Sequence, residues 1–117
     1  MFVVHLGDLI DQNFGSYEKI IPIYNQLKTK HYHVLGNHDF QVLEDEKDQV
    51  LKVLGLNNRS YHFCTHGYRF IILDGNDRSL YAYPKIDPRT TQSAAYYSTL
   101  PKGTPTWKGG LSQEQIN

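Results

Sequence analysis

The sequence has very little cysteine, methionine or tryptophan, with one residue of each among 117. The single cysteine, Cys64, excludes an internal disulfide framework, and we expect it to behave as a small buried hydrophobic residue. A net charge of zero leaves no general field that would attract nucleic acid or an anionic membrane. The apolar runs are short, and none is expected to span a bilayer. The default expectation is a cytoplasmic protein without a nucleic-acid or membrane partner.

The composition that remains fits a single globular domain over residues 1–117. Hydrophobic residues make up 39% of the chain and charged residues 21%, which is typical of a folded protein rather than a disordered one. Because the overall charge is neutral, any handling of phosphate must come from a local site. The search for function therefore turns to short clusters of polar residues.

The first half of the chain alternates between strand-like and helix-like segments. Residues 2–6 and 31–35 are apolar and β-rich, and each segment stops at a glycine followed by polar residues. Helical spacing of apolar residues follows each of them, at residues 16–28 and 44–54. This alternation predicts a parallel sheet with right-handed crossovers. In such sheets functional residues lie just beyond the carboxyl ends of the strands.

The ends of the two predicted helices carry recognisable signals. Ser16 is a candidate N-cap for the first helix, and Gly55 is placed to close the second. Pro22 conflicts with the first helix, because its ring removes an amide donor and clashes with the preceding turn. It either kinks that helix or moves its start to about Ile21.

The second half has a different character. Residues 60–64 and 68–74 are strand-like and are joined by residues 65–67, which predicts a β-hairpin. Residues 75–110 show no sustained periodicity, which is typical of a functional or a disordered loop. Ser112 is a candidate N-cap for a final helix. The predicted fold class is therefore α/β, with a strand–helix–strand–helix unit followed by a hairpin and a long loop.

A polar cluster follows each of the two predicted parallel strands. Gly7 and Asp8 come after the first strand, and Gly36 and Asn37 come after the second. Carboxylate and amide oxygens are hard ligands suited to Mn²⁺, Mg²⁺ or Fe. Glycine before each ligand lets the backbone turn sharply and leaves room for a metal or substrate. The pattern predicts that Asp8 and Asn37 are metal ligands at one edge of the sheet.

His38 and Asp11 complete this cluster. His38 follows the Asn37 ligand, where it can protonate a leaving oxygen or stabilise charge on a phosphate. Asp11 lies three residues beyond Asp8 and can orient His38 by accepting its ring N–H. The alternative for Asp11 is that it simply caps the segment that follows it.

Taken together, these motifs resemble the central signature of the calcineurin-like metallophosphoesterases, Gly-Asp-x-x-Asp after one strand and Gly-Asn-His-Asp/Glu after the next. Residues 61–63, 68–74 and 109–115 are similar to the branch of manganese-dependent ADP-ribose/CDP-alcohol diphosphatases. In that branch an asparagine directly precedes the last of these segments, whereas this chain has Lys108 at that position. The resemblance covers essentially the whole chain.

The resemblance implies a layered α/β sandwich that hydrolyses phosphoester or phosphoanhydride bonds in small molecules, chiefly nucleoside-diphosphate-linked ones. It implies two divalent ions, with Mn expected and Mg, Fe or Zn as alternatives. In the family the residue matching Asp8 bridges both ions, the residue matching Asn37 is a ligand, and the residue matching His38 is catalytic. The substrate-binding residues stay unassigned.

The sequence also departs from the family, because the Asp-x-His/Gln motif and the later His and Gly-His-x-His motifs are absent. The expectation is therefore a partial domain that lacks most of the ligands of both ions. Two-metal catalysis needs ions about 3.5–4 Å apart, and two protein ligands cannot hold them. The competing hypothesis is a truncated, non-catalytic fragment or a binding module. Exposed sheet edges in a partial fold predict self-association.

Three other features keep two interpretations each. His31 and His33 alternate in a strand, as either a metal pair or a half-exposed strand face. Asp74 ends a strand and either contacts substrate or caps a turn. The tyrosines of residues 75–110 either stack on a nucleotide base or belong to a poorly ordered loop.

Overall fold

A computed structural model describes all residues, 1–117. Its elements confirm the mixed α/β class. The strands are β1 (Phe2–His5), β2 (Lys30–His33), β3 (Tyr61–Thr65) and β4 (Tyr68–Ile72). The helices are α1 (Tyr17–Tyr24), α2 (Val50–Val53), α3 (Pro88–Ser98) and α4 (Gln113–Ile116). Single 3-10 turns occupy Phe14–Ser16, His38–Phe40 and Lys47–Gln49.

The first sheet consists of β1 and β2, which pair in parallel as predicted. Phe2 lies opposite Lys30 and His5 lies opposite His33. One further bond, from the amide of Val34 to the carbonyl of His5 at 2.9 Å, continues the pairing past the end of β2. The carboxyl ends of the two strands therefore lie side by side, and both polar clusters begin at the same edge of the sheet.

Helix α1 starts and ends differently from the prediction. Ser16 makes no side-chain capping bond; the cap of the preceding 3-10 turn is Asn13, whose side chain accepts from the amide of Gly15 at 2.9 Å. Pro22 lies inside the helix, so the predicted alternative of a start near Ile21 is wrong. The helix is only eight residues long and ends before the predicted residue 28. An internal proline removes one backbone hydrogen bond of the helix. Because this helix is short, the loss of stability is confined to a single turn.

The predicted helix over residues 44–54 is shorter as well. Only Val50–Val53 is α-helical, preceded by the 3-10 turn. The acidic residues before it instead serve as local acceptors: Glu46 accepts from the amide of Leu43 at 2.9 Å, and Glu44 accepts from the amide of Lys85 at 2.7 Å. Carboxylates committed to such bonds favour turns over helix. Gly55 closes the segment with a φ of +70°, as expected.

Strands β3 and β4 form the predicted hairpin and pair antiparallel, with Tyr61 opposite Ile72. The two turn residues, His66 and Gly67, have φ values of +51° and +79°, the conformation that two-residue hairpin turns require. The hairpin is a separate two-stranded sheet and does not extend the first one.

An aromatic cluster joins the hairpin to the first sheet. Tyr32 and Phe63 stack with ring centroids 3.7 Å apart, and Phe2 meets Phe70 edge to face at 4.8 Å. The prediction that Cys64 is buried is wrong, because this residue is exposed. Side chains alternate along a strand, so packing Phe63 inward turns Cys64 outward.

The prediction of an irregular segment over residues 75–110 is wrong for residues 88–98, whereas the residues on either side form turns and irregular backbone. Residues 88–98 form the longest helix of the chain, α3, whose eleven residues begin at Pro88. Asp87 caps this helix by accepting from the amide of Arg89 at 2.8 Å. An Asp-Pro pair is a typical helix start, since proline at the first position loses no helical bond. The apolar residues of α3 show only weak helical periodicity, so their spacing does not predict a helix.

The core lies between α1, α2 and the segment that leads to α3. Its fully buried apolar side chains are Ile10, Tyr17, Leu35, Phe40, Val50, Ala82 and Tyr83. The guanidinium of Arg59 lies between two of these rings, 4.3 Å from Phe40 and 4.0 Å from Tyr83. No helix is long and apolar enough to cross a membrane.

Candidate metal centre

The two glycines of the motifs let the loops after β1 and β2 come into direct contact. Gly7 has a φ of +101°, and a Cβ on it would lie 2.9 Å from the Cα of Gly36. A Cβ on Gly36 would overlap the carboxylate and the backbone nitrogen of Asp8. Only glycine fits at these two positions, because any side chain would push the loops apart.

Asp8 sits in a conformation that is uncommon for a residue with a side chain. Its φ is +55°, in the left-handed region, where such residues recur at functional sites. One carboxylate oxygen, Oδ1, accepts a hydrogen bond from the amide of His38 at 2.9 Å. The Asp8 carboxylate therefore points at the start of the second motif, across 30 residues of sequence.

Asp39 holds the two motifs in this arrangement. Its carboxylate is 1% exposed and accepts three hydrogen bonds. The donors are the amide of Asp8 at 3.0 Å, the amide of Gly36 at 2.9 Å and the hydroxyl of Tyr17 at 2.7 Å. The sequence analysis gave Asp39 no role, although its place as the acidic end of the second motif was the available signal. Burial, followed by the charge of this carboxylate, raises the pKa of Tyr17.

His38 and Asp11 are in contact. The Nδ1 atom of His38 lies 2.7 Å from Oδ1 of Asp11, and the side chains of His38 and Asp11 are 38% and 78% exposed. The hydrogen bond to Asp11 raises the pKa of His38 above its ordinary value. Because a carboxylate can only accept, Nδ1 carries the proton of this bond and Nε2 is left to face other groups.

The donor set at this edge suits a hard divalent cation in part. Asp8 provides a carboxylate and Asn37, which opens the 3-10 turn, provides an amide oxygen. No group of three or more His, Cys, Asp and Glu side chains in the structure could hold a metal ion. The chemistry of these two oxygen donors therefore fits only one side of the coordination sphere of such a cation.

A second layer of polar residues lies beside this edge, and the sequence analysis gave neither Asn76 nor Tyr81 a place in it. The side-chain nitrogen of Asn76 donates to the carbonyl of Leu35 at 3.0 Å, immediately before the second motif. The hydroxyl of Tyr81 donates to the side-chain oxygen of Asn76 at 2.7 Å. Burial, the Tyr97 hydroxyl and then the charges of Asp74 and Asp8 raise the pKa of Tyr81. Through Asn76, Tyr81 is linked by hydrogen bonds to the carbonyl of Leu35, directly before the second motif.

The interpretation of Asp74 as a turn residue agrees with its contacts. It is fully buried and accepts from the amide of Asn76 at 2.9 Å and from the Asn76 side chain at 3.1 Å. Its own amide donates to the side chain of Gln115 at 2.8 Å. Asp74 thus ties the end of the hairpin to α4, whose predicted N-cap, Ser112, accepts from the amide of Gln115.

The histidines of β2 differ in burial, since His31 is partly exposed and His33 is buried. His33 is 7% exposed, and its Nδ1 has no hydrogen-bond partner. Its ring centroid lies 5.5 Å from that of His31 and 6.0 Å from that of His5 on the neighbouring strand. The ring of Tyr24 on α1 covers them at 5.3 Å from His33. This packing, which depends on α1, buries His33 more fully than the half-exposed face predicted from alternation, whereas His31 stays partly exposed.

Comparison with known proteins agrees with this geometry. The family model of the calcineurin-like phosphoesterases matches residues 1–106. The two motif-bearing loops at neighbouring strand ends both lie within the matched residues. The chain belongs to the calcineurin-like phosphoesterase family.

Curated relatives point to one branch of that family. The chain is 29% identical over 98 residues to a manganese-dependent ADP-ribose/CDP-alcohol diphosphatase of Arabidopsis thaliana, covering 76% of this chain and 32% of the relative. Proteins of the same name from Mus musculus and Homo sapiens are 27% and 26% identical, each over 98% of this chain. The chain spans 45% and 44% of their lengths. No solved structure matches the chain significantly.

Proposed function

We propose that this chain supplies part of the active site of a metal-dependent hydrolase of phosphoester or phosphoanhydride bonds. The observation that carries the proposal is the direct contact between the two motifs, in which the amide of His38 donates to the Asp8 carboxylate. That contact puts a carboxylate, an amide oxygen and an imidazole at one strand edge. In this proposal Asp8 and Asn37 are the ligands, with Mn²⁺ the expected ion and Mg²⁺, Fe or Zn²⁺ as alternatives.

His38 is the proposed acid. Asp11 holds Nδ1 of His38 at 2.7 Å, which restrains the ring and leaves Nε2 outside this hydrogen bond. A protonated Nε2 can donate to the leaving oxygen or stabilise negative charge on the phosphoryl group. When bound, divalent ions supply Lewis acidity to the phosphoryl oxygens. Asp11 acts through His38 and is a positioning residue.

The proposed substrates are small molecules linked to a nucleoside diphosphate. This part of the proposal is supported by the names of the relatives, which specify ADP-ribose and CDP-alcohols. The proposed ligands Asp8 and Asn37, together with His38, would contact only the phosphate groups of such a substrate. The nucleoside must be recognised by other residues of the protein.

A second candidate is a binding module with little activity of its own. It is favoured by the small number of anionic and imidazole ligands at the edge. A single carboxylate and an amide oxygen leave most of a coordination sphere to water, so Mn²⁺ would bind weakly and a second ion would have no fixed place. On this basis we expect little or no turnover from the 117-residue chain.

One experiment separates the candidates. Mn²⁺ binding to the purified chain is measured by electron paramagnetic resonance, and turnover is assayed with ADP-ribose, CDP-choline and an aryl phosphodiester. The variant Asp8→Ala is compared with Asp48→Ala, which removes an exposed carboxylate that makes no hydrogen bond or ion pair. Turnover that depends on Asp8 supports the hydrolase, and Asp8-dependent Mn²⁺ binding without turnover supports the binding module. Equal Mn²⁺ binding by the two variants would contradict the proposal that Asp8 is a metal ligand.

A further inference from the structure

A cleft beside α3 has the chemistry of a nucleotide subsite. It is lined by Arg78, Tyr96, Tyr97, Leu100 and Lys108 among others, and its volume is about 320 Å³. This is at the lower end of the range for small-molecule sites. Its lining contains two cations and no acidic residue. In a chain of zero net charge, this local excess of positive charge favours the binding of an anion.

Neither cation of the cleft is neutralised by a neighbouring carboxylate. The four ion pairs of the structure involve other residues. Asp77, next to Arg78 in sequence, has both oxygens engaged elsewhere, accepting from the Tyr83 hydroxyl at 3.0 Å and from the amide of Ser112 at 3.2 Å. The Arg78 side chain is therefore available to a ligand.

Aromatic surface accompanies these charges. The guanidinium of Arg78 lies over the ring of Tyr96 at 5.5 Å, and Tyr96 remains 48% exposed. The ammonium of Lys108 lies over the ring of Trp107 at 4.9 Å. Guanidinium planes and tyrosine rings both stack with nucleobases, while the N–H groups of arginine bind phosphate.

The walls of the cleft are held in place by the backbone. Arg78 and Gly110 exchange two backbone hydrogen bonds, of 2.9 and 3.0 Å. The hydroxyl of Tyr97 donates to the carbonyl of Lys108, which fixes α3 against the same segment. These contacts preorganise the backbone of the cleft and leave the side chains of Arg78, Tyr96 and Lys108 free to contact a ligand.

The cleft is connected to the metal edge through a short run of packed residues. Gly109 packs against Gly75 and Asn76 so closely that a Cβ would overlap the Gly75 carbonyl. Asn76 in turn donates to the carbonyl of Leu35, one residue before the second motif. The cleft therefore borders the layer of residues that flanks the metal edge.

We propose that this cleft binds the nucleoside monophosphate part of the substrate. The base stacks on the layer formed by Arg78 and Tyr96, and the phosphate accepts hydrogen bonds from Arg78 and Lys108. This inference rests on the proposed function for its biological meaning, since it names the nucleoside site of the same hydrolase. Its physical content, binding of AMP at the cleft, is independent of metal.

The test is a titration of the 117-residue chain with AMP in the presence of EDTA, followed by nuclear magnetic resonance. Tyr96→Leu and Arg78→Gln should each weaken AMP binding about tenfold, the lower part of the range for lost base stacking. Tyr96→Phe should bind like the parent, because the Tyr96 hydroxyl makes no hydrogen bond. The matched controls are Tyr68→Leu, which removes an exposed tyrosine of the hairpin, and Lys102→Gln, an exposed lysine outside the cleft.

Comparison of ligands sharpens the result. AMP should bind more tightly than ribose 5-phosphate, which lacks the base, and more tightly than adenosine, which lacks the phosphate. The proposal is overturned if AMP does not bind, or if the two cleft variants bind it as the parent does. It is equally overturned if the hairpin control loses as much affinity, since the effect would then come from general loss of fold.

Failure of the subsite and failure of the proposed function give different results. Asp8→Ala should leave AMP binding unchanged, because that carboxylate lies outside the cleft. AMP binding that depends on Tyr96, without Mn²⁺ binding that depends on Asp8, would uphold the cleft and reject the metal edge. If instead Mn²⁺ binding depends on Asp8 while AMP affinity is unchanged in the Tyr96 and Arg78 variants, the metal site is supported and the cleft is rejected as the nucleotide site.

Discussion

The carboxylate of Asp39 accepts a hydrogen bond from the backbone amide of Asp8, at 3.0 Å and across 31 residues of sequence. The same buried side chain also accepts from the amide of Gly36 and from the hydroxyl of Tyr17. One residue therefore joins the loop after β1, the loop after β2 and helix α1. The separation of the two proposed ligands, Asp8 and Asn37, is set by a side chain that would not itself bind metal.

Asp39→Asn should destabilise the chain and weaken Mn²⁺ binding together. The amide keeps one acceptor oxygen but turns an NH₂ group toward backbone N–H donors, leaving a buried donor unpaired at a cost of about 1–3 kcal/mol. Urea denaturation followed by circular dichroism measures the first effect and Mn²⁺ titration the second. Asp48→Asn, at an exposed position, should change neither quantity. An unchanged urea midpoint in Asp39→Asn would refute the joining role.

Gly36→Ala should separate the two motifs. The new methyl group would meet the carboxylate and backbone nitrogen of Asp8, and backbone cannot give way cheaply. We expect a loss of about 1–3 kcal/mol of unfolding free energy and loss of Mn²⁺ binding. The matched control is Gly75→Ala, since a Cβ there meets nothing within 4 Å. Equal behaviour of the two variants would show that the loops tolerate separation.

Asp8→Ala and His38→Ala should differ in their effect on metal. Removing the proposed ligand at Asp8 abolishes Mn²⁺ binding and any activity, whereas removing His38 leaves Mn²⁺ binding nearly intact. In a protein of this family that turns over, loss of the acid should lower the rate about 10²–10⁴-fold. Metal content after dialysis gives the first comparison, with His62→Ala, an exposed hairpin histidine, as control. Equal loss of metal in the Asp8 and His38 variants would identify His38 as a ligand.

Stability should fall as the pH drops below the ordinary range of histidine, because of His33. Burial, and then the charges of His31 and His5, lower the pKa of His33. The folded state therefore resists protonation while the unfolded state accepts it below about 6.5. The contribution of neutral His33 is fully present above that pH and declines as protons bind the unfolded chain.

The measurement for His33 is the urea midpoint of the chain between pH 7.5 and about 5. His33→Leu, which keeps the position apolar, should flatten this dependence, whereas the exposed variant His62→Gln should retain the parent slope. A parent slope preserved in His33→Leu would assign the acid sensitivity to other groups.

The local part of the fold was accessible from sequence, and the tertiary part was not. The strands β1 and β2 and the hairpin turn at His66 and Gly67 were predicted, because apolar runs and turn residues encode them directly. Helix α3 was missed because its signal is a capping residue and a proline rather than an apolar period. The outward orientation of Cys64 follows from the packing of Phe63 on Tyr32, which no local pattern reveals.

The candidate site divides in the same way. Asp8, Asn37, His38 and Asp11 were selected by motif, and the structure brings His38 into contact with both carboxylates. Their roles as ligands and catalytic groups stay predictions, as do the domain bounds, the cellular compartment and self-association. The contact of Asn76 with Leu35 could not be found, since it depends on a loop that returns from 41 residues away. Tyr81 was considered only among the tyrosines that could stack on a base, and its bond to Asn76 depends on the same loop.

The only tryptophan of the chain, Trp107, is 60% exposed on the segment that borders the cleft, with the Lys108 ammonium over its ring. A nearby cation perturbs the excited state of an indole, and any phosphate that draws Lys108 away would alter that perturbation. We therefore expect the emission wavelength of Trp107 and its quenching by iodide to change when a ligand occupies the cleft, so that binding can be followed without a label. Because no second indole contributes background, a change in that signal can be assigned to one position in the chain.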